Sequence, residues 1–164
     1  PSSMPTGAST PRPPSRPGTC GTARCRTSAL WQRASAAFER FDAADRLLFS
    51  VPMWNAGIPY ILKQFIDVVS QPGTVFGIDP DHGYEHLLEG RGKKAAVVYT
   101  SAVWGPALGH EFGRDFQSTY FEDWVAWVGI TDITPIRHHP TLKGDVEAER
   151  RKSHTAAQDA AATF

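Results

Sequence analysis

Across residues 29–44 the apolar side chains Leu30, Ala34, Phe38, Phe41 and Ala44 fall three or four positions apart, with Glu39, Arg40 and Asp42 on the other side. That spacing predicts a helix with one buried stripe. Residues 46–51 are a short continuous apolar run, of the kind expected when both faces of a strand are covered. Helical spacing returns over 58–69, where Ile58, Ile61, Leu62, Phe65, Ile66 and Val69 point inward. Pro59 sits in its first turn, where the missing N–H does no harm, and Pro72-Gly73 ends it.

Residues 74–91 are loop-rich, with room for a short hairpin or one helical turn. A second strand is predicted over 94–100, then a long loop over 101–113. Asp115 caps a helix that runs to Val128 and stops at Gly129, with Phe116, Tyr120, Trp124, Trp127 and Val128 on one aromatic face. A third strand covers 132–138 and a last, Ala-rich helix 145–162. No internal repeat is visible. Alternating strands and helices argue an α/β domain built on a parallel sheet, and right-handed crossovers place helices on both of its faces.

At 164 residues there is room for one such domain and a sizeable core. Lys+Arg and Asp+Glu balance at 17 each, which gives no reason to expect a nucleic-acid or anionic-membrane partner. No apolar run approaches the ~20 residues of a membrane span. Two cysteines do not make a disulfide framework, so a reducing cytoplasm is the default. Residues 1–38 hold five arginines, no acidic residue, both cysteines and six of the thirteen prolines. Residues 1–28 are therefore expected to be a disordered Pro/Ser/Arg-rich tail, too poor in large apolar groups to offset ordering entropy. Its composition also matches a transit peptide, although it lacks a clear amphipathic helix.

The junction after the first strand carries the chemistry. Pro52-Met53-Trp54-Asn55 follows the apolar run directly, and an amphipathic segment starts just beyond Ala56-Gly57. Strand, loop, helix is the order that places a ligand at the carboxyl end of a parallel sheet. An aromatic, an amide and backbone N–H groups at a helix entrance suit a flat, polar-edged ring better than a lone phosphate.

This loop, with Ile58-Pro59, Leu62-Lys63-Gln64-Phe65-Ile66-Asp67, Gly73-Thr74-Val75-Phe76, Gly92-Lys93-Lys94-Ala95 and Tyr99-Thr100-Ser101, resembles the flavodoxin-like FMN-dependent NADH:quinone oxidoreductases and azoreductases. The resemblance spans residues 38–162. It implies a flavodoxin-like parallel sheet of order 2-1-3-4-5, of which the three strands above are the third, fourth and fifth. The family's first strand and Ser-rich phosphate loop have no recognisable counterpart, so residues 29–164 read as an incomplete flavodoxin-like domain whose third strand has an unpaired edge.

The implied activity is two-electron reduction of quinones or azo compounds by NAD(P)H through FMN, in a homodimer that builds its pockets at the subunit interface. Pro52, Met53, Trp54, Asn55 and Ala56 would contact the flavin: backbone N–H groups on its pyrimidine edge and N5, the aromatic beside the ring. Such donors stabilise the negative charge of the reduced ring. An aromatic commonly follows the Asn in the family, and here Ala56 stands instead. Ser101 would also touch the ring, while Trp104 and Tyr120 would line the substrate pocket; Gln117 and Tyr120 would reach it from the partner subunit. No catalytic acid or base is implied, so whether the chain is itself an enzyme turns on FMN binding.

Other readings stay open. The chain is alternatively a non-catalytic fragment, an interaction subunit, or a flavin reductase supplying reduced FMN to a partner. The codons for Asp-Leu-Arg-His-Gly-Ala-Leu-Pro-Asp-Phe, read one frame over, can give residues 19–28, so the tail is alternatively an out-of-frame translation. His82 and His86 have i,i+4 spacing but no third ligand, and His138-His139 read as a solvated pair, so no metal site is expected.

Overall fold

The helical stripe that begins the pattern becomes α1 (Ala29–Asp42), which leads into β1 (Arg46–Pro52) and α2 (Tyr60–Val69). The hairpin strands β2 (Phe76–Asp79) and β3 (Gly83–His86) follow, then β4 (Lys94–Thr100), α3 (Ser118–Trp127), β5 (Asp132–His138) and α4 (Val146–Thr163). The computed structural model describes residues 29–108, 111 and 113–164, so the expected tail and both cysteines lie outside the described residues.

Strands β1, β4 and β5 form a parallel sheet in the order β1-β4-β5. Pro52, Thr100 and His138 share one register position, so the three strands finish level and their following loops emerge together. Among the described residues β1 pairs with β4 alone, which leaves its other edge open. The loop-rich segment 74–91 resolves as the two-stranded hairpin, in which Asp79 Oδ1 accepts from the N–H groups of Asp81 and His82 at 2.8 and 2.7 Å.

One face of the sheet carries the main core. Leu47, Val51, Ala95, Val97 and Tyr99 pack there against Ile66 and Val69 of α2 and Phe121, Trp124 and Val125 of α3. Trp124 lies at its centre, 5.9 Å from the Phe41 ring and 5.6 Å from Phe121 (centroid to centroid), and its indole N–H donates to Ser70 Oγ at 3.0 Å. These ring contacts add to the area that each aromatic removes from water. The aromatic stripe expected on α3 therefore divides. Trp124 and Val128 are core, Trp127 packs on Phe76 of the hairpin, and Phe116 and Tyr120 stay at the surface.

On the opposite face α4 covers β5, where Ser153 Oγ lies 3.1 Å from His138 Nδ1 and Ile136 is buried. Among the described residues no helix covers Leu48 of β1 on this face, and it is 71% exposed. The expectation that residues 46–51 are covered on both faces therefore fails, whereas no residue of β4 is exposed. Leu30 and Ile61, expected inward, also face solvent, because their helices bury a narrower stripe than the spacing suggests.

Lys93 ties the layers together at the other end of the sheet: its buried ammonium donates to the carbonyls of Asp42 and Ala44, closing the C-terminus of α1 onto the start of β4. Gly129 needs to be glycine. It has φ +100, and a Cβ there would meet the Glu89 backbone N at 2.4 Å. No described helix is long and apolar enough to cross a membrane.

Candidate functional site

Beyond Pro52 the chain leaves the sheet but stays anchored to it, as the Met53 N–H donates to the Thr100 carbonyl at 2.7 Å. Trp54 and Gly57 then exchange two backbone hydrogen bonds of 2.9 and 3.0 Å, closing a two-residue turn. Its two central residues are Asn55 (φ 50) and Ala56 (φ 67). Consecutive left-handed residues define a type I′ turn, which Asn tolerates and Ala does not favour. The left-handed region costs a residue with a Cβ roughly 1–2 kcal/mol.

The turn survives because it is held from outside. The Phe116 N–H donates to the Ala56 carbonyl at 3.1 Å, and Phe116 forms a parallel bridge with Gly57. Gly113 lies against Ala56 so closely that a Cβ on it would sit 3.2 Å from the Ala56 methyl. Asp115 fixes this clasp: its Oδ1 accepts from the N–H groups of Gln117 and Ser118 at 3.0 and 2.8 Å and so begins α3. At the crest of the turn the backbone N–H groups of Asn55 and Ala56 and the Asn55 amide have no hydrogen-bond partner among the described residues.

Gln117, expected at a pocket edge, is instead 1% exposed. Its side-chain N–H group donates to the Val51 carbonyl at 2.6 Å and to the Thr100 carbonyl at 3.1 Å, fastening the ends of β1 and β4. Residue type alone gave no sign of this, since Gln at a helix start is ordinarily solvated.

The loop after β4 is clasped in turn by the loop after β5. Ser101 is buried; its hydroxyl donates to the Trp104 carbonyl, and its own carbonyl accepts from the Thr141 N–H at 2.9 Å. That hydroxyl is engaged as a donor and keeps only lone pairs for a ligand. The Trp104 indole N–H donates to the Gly113 carbonyl at 3.2 Å, and its ring stands edge-on to His139, centroids 5.1 Å apart. A Cβ on Gly105 would press on Pro140 Cδ at 3.0 Å, so the two loops interlock without room for a side chain.

His139 is therefore buried, not solvated, and its Nδ1 has no partner among the described residues. Burial depresses its pKa, with Arg137 adding to the effect and its own carbonyl, Asp115 and Glu149 opposing it. His138 is half-buried against Ser153. His82 sits in the hairpin turn and His86 on β3, so the two do not share a helix face. Among the described residues no three His, Cys, Asp or Glu side chains converge on a point that could hold a metal ion.

Trp54, Asn55 and Tyr120 do come together, on one cleft of about 490 Å³ that Tyr60, Lys63 and Phe116 complete. Trp104 is not among its lining residues. Tyr60 and Phe116 were the members that the sequence concealed. Each lies at or just outside the end of a helix, where periodicity no longer says which way a side chain points.

Comparison with known proteins agrees with this architecture. A family model described as a flavodoxin-like fold matches residues 15–162. The FMN-dependent NADH:quinone oxidoreductase of Ruegeria pomeroyi is 50% identical over 115 residues, covering 70% of this chain and 55% of that protein. The corresponding enzyme of Desulfotalea psychrophila is 40% identical over 121 residues, covering 73% and 55%. The chain thus spans about half the length of the curated relatives it matches. An FMN-dependent NADH-azoreductase from Bacillus anthracis, solved with FMN, superposes with a TM-score of 0.64 at 20% identity, covering 79% of this chain and 62% of that one. At that identity the likeness speaks to the fold alone.

Replacing Gln117 by Leu should cost about 1–3 kcal/mol, because the bonds of its amide to the Val51 and Thr100 carbonyls are lost. Urea denaturation checks this, and an unmoved midpoint would show that the strand ends do not need the amide. His139 sets a pH dependence. Its folded-state pKa is depressed, so its contribution to stability is complete above pH ~6.5 and is lost as pH falls through the lower folded value. His139→Phe should flatten the stability profile between pH 7 and 5, by up to about 1.4 kcal/mol per pH unit. Parallel profiles for the two proteins would contradict the assignment.

Proposed function

We propose that this chain, which belongs to the flavodoxin-like fold family, holds FMN at the Asn55–Ala56 turn and reduces quinones or azo compounds with NAD(P)H. The observation that carries the reading is the set of unpartnered donors at that turn: two backbone N–H groups and a side-chain amide, on a strained crest at the carboxyl end of the sheet. Such donors fit the acceptor-rich edge of an isoalloxazine ring. FMN, when bound, supplies the two-electron chemistry between NAD(P)H and the acceptor.

Everything else falls to the protein's own residues. Asn55 and the amides beside it orient the ring and stabilise negative charge gathered on it, without reorganising at the moment of reaction. Pro52 and Met53 fix the turn to the sheet, and Trp54 flanks the ring. Ser101 offers its lone pairs to a ring N–H. Trp104 braces the Ser101 loop against His139, so its part in the substrate pocket is indirect, whereas Tyr120 lies directly on the cleft. Residues 29–164 make up the flavin-binding unit. The exposed apolar groups Trp54, Tyr60, Ile61 and Phe116, adjoining the turn, support a homodimer formed over this surface. A reducing, cytoplasmic setting accords with a chain of only two cysteines and with NAD(P)H as reductant.

FMN fluorescence quenching tests the reading. Asn55→Gly keeps the freedom to adopt positive φ and removes only the amide, so FMN affinity should fall about fivefold, the equivalent of one hydrogen bond of ~1 kcal/mol. The melting temperature of the apoprotein should stay within a degree or two, since a single exposed turn residue contributes little to stability. Equal FMN affinity in both proteins would remove Asn55 from the site. No quenching in either would remove FMN.

A further inference from the structure

We propose that the cavity between α4 and the loops after β4 and β5 is a second small-molecule site, and that it takes an aliphatic carboxylate. The proposal is independent of the FMN reading. The cavity holds about 470 Å³ and shares no lining residue with the cleft at the Asn55–Ala56 turn. Pro135, Arg137 and His139 form one wall, at every second position along β5 and just past its end. Glu149, Lys152 and Ala156 form another, at helical spacing on α4. A concavity of that size accommodates a small ligand.

Its apolar lining is aliphatic. Leu108, Ala156 and the rings of Pro106, Pro135 and Pro140 supply it, and no Phe, Tyr or Trp is among the described lining residues. Such a surface offers no aromatic face on which a flat ring could stack. It suits a saturated body better than an aromatic one, which sets it apart from the aromatic cleft at the turn.

The polar groups call for a negative charge. His139 lines the cavity and is 7% exposed. Of its two ring nitrogens only Nδ1 is enclosed without a partner, so Nε2 is the one that a ligand reaches. Burial favours the neutral ring, and an incoming carboxylate selects the tautomer in which Nε2–H donates to it. Lys143 and Lys152 bring two ammonium groups to the same cavity. Their distances to Glu111 and Glu149, 3.8 and 3.7 Å, are too long for hydrogen bonds, and these half-solvated pairs are weak. A carboxylate in the cavity adds direct, charge-assisted hydrogen bonds. Two other charges on the wall are already engaged. Arg137 donates to Glu122 at 2.9 Å, and Asp145 accepts from the Ala148 N–H at 2.9 Å as the cap of α4. The helix end is thus filled by its own side chain, and the ligand is held by His139 and the two lysines.

Calorimetric titration of the protein, with and without saturating FMN, tests the site. The probe is cyclohexanecarboxylate, and cyclohexanecarboxamide has nearly the same shape without the charge. The carboxylate should bind about fivefold tighter than the amide, as expected when a charge-assisted hydrogen bond replaces a neutral one. Lys143→Gln and Lys152→Gln together should erase most of that preference and leave amide binding as it was. Ala156→Leu, which fills the cavity from α4, should weaken both probes about fivefold, the equivalent of ~1 kcal/mol of lost contact. FMN affinity should be the same in all variants. Equal binding of the two probes, no binding of the carboxylate at millimolar concentration, or an unaltered preference in the double lysine variant would each overturn the proposal. Displacement of the carboxylate by FMN would also overturn it, by making the cavity part of the flavin site.

Discussion

The amide of Gln117 holds the carbonyls of Val51 and Thr100, close to the carboxyl ends of two adjacent parallel strands. The Thr100 carbonyl also accepts from the Met53 N–H at 2.7 Å, so the Gln117 amide adds a second bond there and ties it to the Val51 carbonyl of the neighbouring strand. One side chain bridges both strand ends. Because Gln117 also stands at the start of α3, the same bond sets where that helix begins, and so where Phe116 meets Ala56 and where Gly113 meets Trp104. The turn, the cleft and the loop after β4 all inherit their positions from it.

What this anchoring sustains is strain in a useful place. Two consecutive left-handed residues, one of them an alanine, would relax in an isolated loop. Here Met53 is bonded to one side, Phe116 to the other, and the turn is closed by its own pair of bonds. The consequence is a crest on which donors face outward without an internal acceptor. Donors arranged before a ligand arrives are what an electron-accepting ring needs, since no folding rearrangement then opposes the stabilisation of its charge.

The sequence disclosed the frame of this arrangement more readily than its fastenings. Strands over 94–100 and 132–138 and the capping of α3 by Asp115 follow from short-range pattern, and the observed β4 and β5 agree with them. The loop at Pro52–Ala56 stood out because strand, loop and helix succeed one another within a few residues. Gln117 and His139 were misread for a common reason: each is polar beside a helix or strand end, where the ordinary expectation is solvent. Each is buried by a segment far away in sequence, 66 residues in the case of Gln117 and Val51. The exposure of Leu48 has a similar origin, since which face of a strand is covered depends on how far α4 extends across the sheet and not on the strand's own composition.

The central claim is that the crest of the Asn55–Ala56 turn is a preformed donor set for a flavin ring. Backbone amide NMR of the apoprotein, titrated with lumiflavin, addresses it directly, because lumiflavin carries the ring without the phosphate. The amides of Asn55 and Ala56 should move most and earliest, with Trp54 beside them, while those of the β2–β3 hairpin stay still. Lumiflavin shifts that cluster elsewhere, with these two amides unmoved, would contradict the account.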